Sequence, residues 1–288
     1  MLFRSRRAGW LSAHQLGTYL LEKAKSHGVQ LLTDRVINVS QYGGRIAEVE
    51  LAEIGKISTN YFVNAAGPLI GNVASLLGVD LPVYSELHLK AAVHDTHQVV
   101  PRQAPLLIWN DAQYLPWSPD ELEYLSSEED QVWLSDEMPA GVHTRPEGGG
   151  ESDIILMLWE YQEKILEPVF PPPVDELYPE IVLRGLVTML PGMKQYLSKI
   201  PRPVLDGGYY TRTRENRPLI GPLPIEGAFI IGAFSGFGIM AACAAGDLLA
   251  NHITQSQLPP YASSFLLVRY TDPNYQRTLA HWGDSGQL

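Results

Sequence analysis

The chain has 288 residues, 45% of them apolar, a formal net charge of −11 and a single cysteine, Cys243. That length suits one large or two modest domains with a true core, and the negative balance argues against nucleic-acid binding, which needs a basic face. One cysteine excludes an intramolecular disulfide and fits a reducing, cytoplasmic setting; no apolar run approaches 18 residues, so no membrane span is expected.

Ser5-Arg6-Arg7 has the basic character of a targeting signal. Gly9 and a capped helix follow where a signal needs an apolar or amphipathic extension, so the segment reads as an edge of the fold. Ser12 and Gln15 have the spacing of a capping box. Leu16, Tyr19, Leu20 and Ala24 then share one helical stripe, and Gly28 stops the helix. Residues 29–32 and 36–39 read as strands, and a Gly43-Gly44 hairpin turn leads into a strand over 46–52. Residues 56–65 are the next expected strand, ending at Gly67-Pro68. A short helix over 69–77 is closed by Gly78.

Pro82 marks a change of pattern. Leu87, Leu89, Ala91 and Val93 alternate with Glu86, His88 and Lys90, so the two sets face opposite sides of a strand. Further strands are expected at 106–109, 131–134 and 154–159. Between residues 120 and 153 eleven acidic residues face one basic residue, Arg145. Their spacing follows no Ca²⁺-loop repeat, so a solvated loop and strand edge is expected rather than a metal site. Pro171-Pro172-Pro173 stiffens the entry to a helix over 174–197, which Pro179 and Pro191 should break. From Val204 the chain is expected to return to its first domain.

The most informative stretch is AFIIGAFSGFGIMAACAAGDLLAN, residues 228–251. An apolar, β-branched run leads into Ser235-Gly236-Phe237-Gly238 and an Ala-rich helix in which Cys243 reads as a small buried residue. Two glycines at a strand-to-helix junction let a backbone approach a ligand closely, and the open N–H groups of the new helix favour a negative partner. The plainer reading is tight strand–helix packing. Gly236-x-Gly238-x-x-Ala241 also matches a dinucleotide fingerprint, but that motif needs a second strand after the helix. Here the helix runs out near Thr254 and Pro259-Pro260 follow. No HExxH, paired CxxC or GxSxG motif supports a metalloprotease, zinc-site or α/β-hydrolase reading.

Four segments in order resemble the FAD-dependent oxidoreductases of the D-amino-acid oxidase, glycine oxidase and sarcosine oxidase superfamily. They are GWLSAHQ (9–15), NAAGP (64–68), YYTRTRENRPLIGP (209–222) and the 228–251 stretch. The resemblance covers nearly the whole chain. It implies an α/β fold in which an FAD-binding domain (1–81 and 204–256) carries an inserted antiparallel-sheet substrate domain (82–203), with a tail at 257–288. The family's opening βαβ unit, with its GxGxxG turn for the FAD pyrophosphate, has no counterpart in the first hundred residues. The chain thus resembles the family without its ADP-binding start.

What the resemblance implies for the site follows residue by residue. Gly236, Phe237, Gly238, Ile239 and Met240 would lie against a non-covalent FAD, with Ala66, Gly67 and Pro68 as a second contact and Gly221 nearby. Val36 matches a position that meets adenine through its backbone, although it reads equally as a core valine. Phe237 stands where a histidine is common and Met240 where some relatives have lysine. Tyr210 stands where some relatives grip a substrate carboxylate with arginine; strand alternation would put Arg212 and Arg214 on its face, unless both are surface arginines pairing with Glu215. His88 and Trp159 are candidate pocket residues on substrate-domain strands. The expected substrate is a small amine or amino acid, with hydride transfer from a C–N carbon to flavin. FAD is expected to be held weakly or not at all by this chain alone, with a separate chain as a candidate source of the ADP-binding unit. The alternatives are a non-catalytic protein of the same fold and an NAD-binding protein using Gly236 and Gly238.

Overall fold

In the computed structural model, which describes residues 9–162 and 164–283, the first element is the expected capped helix; Ser5-Arg6-Arg7 lies outside the described residues. Helix α1 spans Ala13–Ser26. The Ser12 hydroxyl accepts the Gln15 amide at 3.2 Å, and Gly28 takes φ +91° just past the end. No residue of α1 is buried, and Tyr19 and Leu20 are exposed. Residues 29–32 form no strand, contrary to their apolar pattern, and Val29, Leu31 and Leu32 are exposed. A strand needs a hydrogen-bonded neighbour, and no described segment pairs with this one.

Strands β1 (Val36–Tyr42), β2 (Arg45–Leu51) and β3 (Gly55–Ser58) make an antiparallel meander. Its first turn uses Gly43 and Gly44 at φ +60° and +82°, the conformation that matches the strand twist. The single strand expected over 56–65 is two strands in different sheets, β3 and β4 (Phe62–Asn64). Thr59 breaks it, its hydroxyl accepting from the Tyr61 amide at 3.2 Å and donating to the Tyr61 carbonyl at 2.9 Å. A 3₁₀ turn at Gly67–Leu69 and helix α2 (Ile70–Ser75) follow.

Residues 84–212 contain β5 (Tyr84–His94), β6 (Leu107–Trp109), helix α3 (Pro119–Ser127), β7 (Val142–Pro146), β8 (Ile154–Leu158), helix α4 (Tyr178–Met189) and β9 (Val204–Arg212). These strands form one antiparallel sheet in the order β6-β7-β8-β5-β9. Alternation puts Ala91, Val142, Ile155 and Met157 against Ile181, Leu183 and Leu186 of α4. Because β9 pairs with β5 along its whole length, the chain leaves this sheet after Arg212, not at Val204. Residues 131–134 lie in a 3₁₀ turn, Val132–Ser135, rather than a strand. Pro179 sits in the first turn of α4, where it breaks no hydrogen bond, and Pro191 opens a separate 3₁₀ turn.

The acidic span is more than a solvated loop. It contains α3, closed by a complete capping box of Ser118 and Glu121, and Glu121 Oε1 lies 2.5 Å from Nη2 of the buried Arg184. The residue after Arg184 in α4 is Gly185, which packs closely on Trp159. A Cβ on Gly185 would lie 2.3 Å from Cζ3 of Trp159, itself only 2% exposed. Gly185→Ala is therefore expected to cost about 1–3 kcal/mol through overpacking, read as a lowered denaturation midpoint; an unchanged midpoint would refute that packing.

The chain then builds a third, small sheet from β10 (Leu219–Pro222) and β11 (Ala228–Gly232), ordered β10-β11-β4. Helix α5 (Gly238–Ile253) covers one face through Ala245, Leu248 and Leu249, which meet Ile220 and Phe229. On the other face Ile70 and Ala74 of α2 meet Leu219 and Ile230. Cys243 is exposed, not buried as expected, because α5 turns Ala245 and Leu248 to the sheet. No strand follows α5 among the described residues; 3₁₀ turns and helix α6 (Pro273–Ala280) pack back on the body. The dinucleotide reading of Gly236 and Gly238 thus lacks its second strand.

Candidate functional site

Strands β11 and β4 run parallel, so both end at the same side of the small sheet, where open α/β sheets place their ligands. Beyond Gly232 the chain turns through Ala233 at φ +58° and Ser235 at φ +56°. A side chain in this conformation costs about 1–2 kcal/mol, and such residues gather where a structure is committed to a particular backbone shape. The Ser235 hydroxyl donates to Asn216 Oδ1 at 3.1 Å and holds the turn. Helix α5 then starts with no side-chain cap and no acidic residue in its first turn. Its first N–H groups are left for another partner, and the positive helix end favours an anionic one.

The end of β4 supplies the opposite wall. Buried Asn64 donates to the Ile70 carbonyl at 2.8 Å and accepts from the Ala66 amide at 3.3 Å. This fixes a turn in which Gly67 takes φ +55° with open space at its Cβ position. Between the two turns lies a cleft of about 330 Å³, walled by Ala65, Gly67, Pro68, Ala233, Ser235 and Ala242, with Tyr209 and Thr211 of β9 alongside. That volume is at the lower end of ligand sites. The cleft walls include no lysine or arginine.

The cofactor residues expected from sequence divide accordingly. Gly67 and Pro68 line the cleft, and Ala66 belongs to the same turn. Gly236 and Phe237 lie in the 3₁₀ turn before α5 and Gly238, Ile239 and Met240 in its first turn; none of the five is among the residues that wall the cleft, and Phe237, Ile239 and Met240 are exposed. Gly221 lies elsewhere: at φ +137°, its Cβ would meet Leu266 at 2.6 Å and His252 at 3.3 Å, so it is a packing glycine. Val36 opens β1 opposite Leu51 and packs into the hydrophobic cluster below the small sheet, away from the cleft lining.

The candidate substrate residues meet on one face of β5 and β9. Register places Tyr84 opposite Arg212 and Glu86 opposite Tyr210. Arg212 Nη2 lies 2.7 Å from Glu86 Oε1, and its Nε donates to the Tyr84 hydroxyl at 2.9 Å. The His88 ring stacks on Tyr210 at 3.8 Å between centroids. His88 Nδ1 lies 2.6 Å from Glu160 Oε1 and its Nε2 lies 3.6 Å from Glu86 Oε2. Burial, and secondarily the charge of Glu160, push the Tyr210 hydroxyl above its ordinary value, so it stays a neutral donor near neutral pH. Tyr209 and Thr211 alternate to the opposite side of the strand.

Arg214 does not join this group, whereas Trp159 lines the small pocket beside His88 and Glu160. β9 ends at Arg212, so alternation no longer governs Arg214, which is exposed. Trp159 is a core residue wedged on Gly185, its indole N–H donating to the Pro139 carbonyl at 3.2 Å. Glu215 pairs with neither Arg212 nor Arg214 but with buried Arg269 of the tail, at 2.9 Å. Sequence reasoning missed Tyr84, Glu86 and Glu160 as partners in this group. The period-2 alternation of β5 carried a signal for the first two, whereas Glu160 follows β8 and reaches His88 only through the fold.

Comparison with known proteins accords with this geometry. A family model described as DAO, FAD dependent oxidoreductase, matches residues 2–252. Among solved structures, L-proline dehydrogenase from P. horikoshii aligns with a TM-score of 0.66 at 19% identity, covering 90% of this chain and 59% of its own. Glycine oxidase from Geobacillus kaustophilus aligns at 0.65 and 16% identity, covering 90% and 58%. Iminodiacetate oxidase from Chelativorans sp. BNC1 aligns at 0.61 and 18%, covering 88% and 57%. The chain thus spans about three-fifths of the length of these structures. A search of curated proteins found no significant match. No helix among the described residues is long and apolar enough to cross a membrane.

Proposed function

This chain belongs to the DAO family of FAD dependent oxidoreductases, and on that premise we propose that it forms the flavin-facing and substrate-covering parts of an enzyme that oxidises the C–N bond of an amine or amino acid. The observation that carries this reading is the cleft where the uncapped start of α5, the left-handed Ala233–Ser235 turn and Gly67 converge. These features fit the ring end of FAD. Gly67 leaves room for a flat ring, and the helix end favours the negative charge that a reduced flavin ring carries. When bound, the flavin supplies the redox chemistry by accepting a hydride from the carbon next to nitrogen. The protein's part is to seat the ring between the two turns and to hold the substrate on the adjoining sheet.

The pyrophosphate end of FAD has no comparable support here. The cleft carries no cation, and α5 supplies one helix end, which the ring end would use. β4 is the last strand of its sheet, and α1 buries none of its residues. These bare surfaces support a second element, on a separate chain or segment, that brings the phosphate-cradling turn. On this reading riboflavin and FAD bind the purified chain with affinities within about threefold, because the ADP half finds few contacts. Quenching of flavin fluorescence measures both. Absence of quenching by either would refute the cleft as a flavin site, and FAD binding a hundredfold tighter would refute the missing phosphate support. Binding of neither would favour the non-catalytic alternative.

A further inference from the structure

The polar face of β5 and β9 has a charge arrangement from which the class of its ligand follows, given the reading above. Every cation on this face already has an anionic partner. Arg212 lies 2.7 Å from Glu86, Lys90 Nζ 2.8 Å from Asp206, His88 2.6 Å from Glu160 and His94 2.7 Å from Asp153. Glu86 and Asp206 offset Arg212 and Lys90 charge for charge. Glu160 and Asp153 then have only histidines as partners on this face, so no cation here is left without a carboxylate beside it.

Arg212 is the group best suited to grip a carboxylate with two parallel hydrogen bonds. Its side chain is only 10% exposed and that of Glu86 4%. Releasing the guanidinium would leave a buried carboxylate without its partner, which costs several kcal/mol. A substrate carboxylate would have to supply that energy merely to reach a guanidinium already satisfied.

Beside His88 and Glu160 is a small polar pocket of about 30 Å³, walled by Trp159, Tyr161, Lys164, Asp175 and Tyr178. It has room for about one water molecule or an ammonium group. Two carboxylates, Glu160 and Asp175, face Lys164, whose Nζ is 3.8 Å from Asp175. Burial raises the hydroxyls of Tyr161 and Tyr178 well above their ordinary range, so the aromatic wall adds no charge and its ring faces favour a cation. Glu160 keeps a third of its side chain exposed (34%), so it remains reachable while one oxygen engages His88.

We propose that this face recognises its substrate by a cationic amine head, seated at Glu160 beside the His88–Tyr210 stack, and makes no provision for a carboxylate. His88 acts as a positioning residue that orients Glu160. The ligand class is therefore an amine without an α-carboxylate.

A matched pair of probes tests this. Benzylamine and phenylglycine differ only in the carboxylate. Calorimetric titration of the full chain is expected to show benzylamine binding at least tenfold tighter. Glu160→Gln, which preserves shape, is expected to weaken benzylamine about tenfold and to leave phenylglycine nearly unchanged, with an unaltered circular dichroism spectrum. Equal or tighter binding of phenylglycine, an unaffected Glu160→Gln variant, or no binding of either probe would overturn the proposal. The titration needs no flavin. A failure here leaves the cleft reading intact, and a failed riboflavin titration leaves this one intact.

Discussion

Arg269→Ala is expected to destabilise the protein by about 3–5 kcal/mol, the range found when one member of a buried ion pair is removed. The side chains of Arg269 and Glu215 are 4% and 1% exposed. Arg269 Nη2 donates to Glu215 Oε1 at 2.9 Å and to the Arg217 carbonyl at 2.9 Å; its Nη1 donates to the carbonyls of Pro218 and Leu266 at 3.3 and 3.2 Å. The hydroxyls of Tyr270 and Tyr275 each donate to the same carboxylate oxygen at 2.7 Å. One side chain thus ties the tail to the turn between β9 and β10. Its loss strands a buried carboxylate and cuts three ties to backbone carbonyls. Arg269→Lys should recover only part of this, since a single ammonium cannot reproduce the planar fork. Replacing both members with apolar residues should be milder than either single change. Denaturant unfolding measures all four proteins, and a loss below about 1 kcal/mol in Arg269→Ala would refute the role.

The pair also fixes the sign of a pH effect. Burial alone would raise the Glu215 carboxyl; the hydroxyls of Tyr270 and Tyr275, with Arg269, outweigh it and hold the group below its ordinary range. A carboxyl depressed in the folded state contributes stability that is present above its unfolded value and lost as pH falls through its folded value. The gap in stability between the native protein and a Glu215→Gln variant should therefore be full near neutral pH and shrink below about pH 4.

Local chemistry made some of this structure legible and left the rest out of reach. Ser12 announced α1, Gly43-Gly44 announced the β1–β2 turn, and the apolar run before Ser235 announced β11, because each is encoded within a few residues. The face shared by Glu86 and His88 followed from period-2 alternation alone. Partners distant in sequence did not follow. Glu215 and Arg269 are 54 positions apart, and no periodicity connects them; the nearer Arg212 and Arg214 were the natural expectation. Residues 29–32 failed for a related reason. Their pattern is that of a strand, but a strand is a property of a pair, and the pattern cannot supply the neighbour. Gly221 shows the same limit at one residue. A glycine beside a ligand and a glycine under a leucine are identical in sequence, and only the contact with Leu266 separates them.

That ambiguity can be resolved at the cleft itself, where two glycines have opposite expected roles. Gly232 ends β11, and a Cβ there would meet Cδ1 of the fully buried Ile70 at 2.3 Å. It is needed for packing. Gly238 begins α5 in an ordinary helical conformation, and a Cβ there would touch only the Cβ of Phe234, at 3.6 Å. Packing does not require it. Gly238 lies one helical turn before Ala242, which lines the cleft, so its side-chain position is on the ligand side. Gly238→Val is therefore expected to change stability by no more than about 0.5 kcal/mol, as for a substitution that meets no buried group. It should weaken riboflavin binding at least tenfold by filling the space before the open N–H groups. Gly232→Val should do the reverse in kind, lowering the melting temperature by overpacking. Melting temperature and riboflavin affinity, measured on both variants, separate the two roles. Undiminished riboflavin affinity in Gly238→Val together with a lowered melting temperature would make this glycine a packing residue and remove the start of α5 from the flavin site.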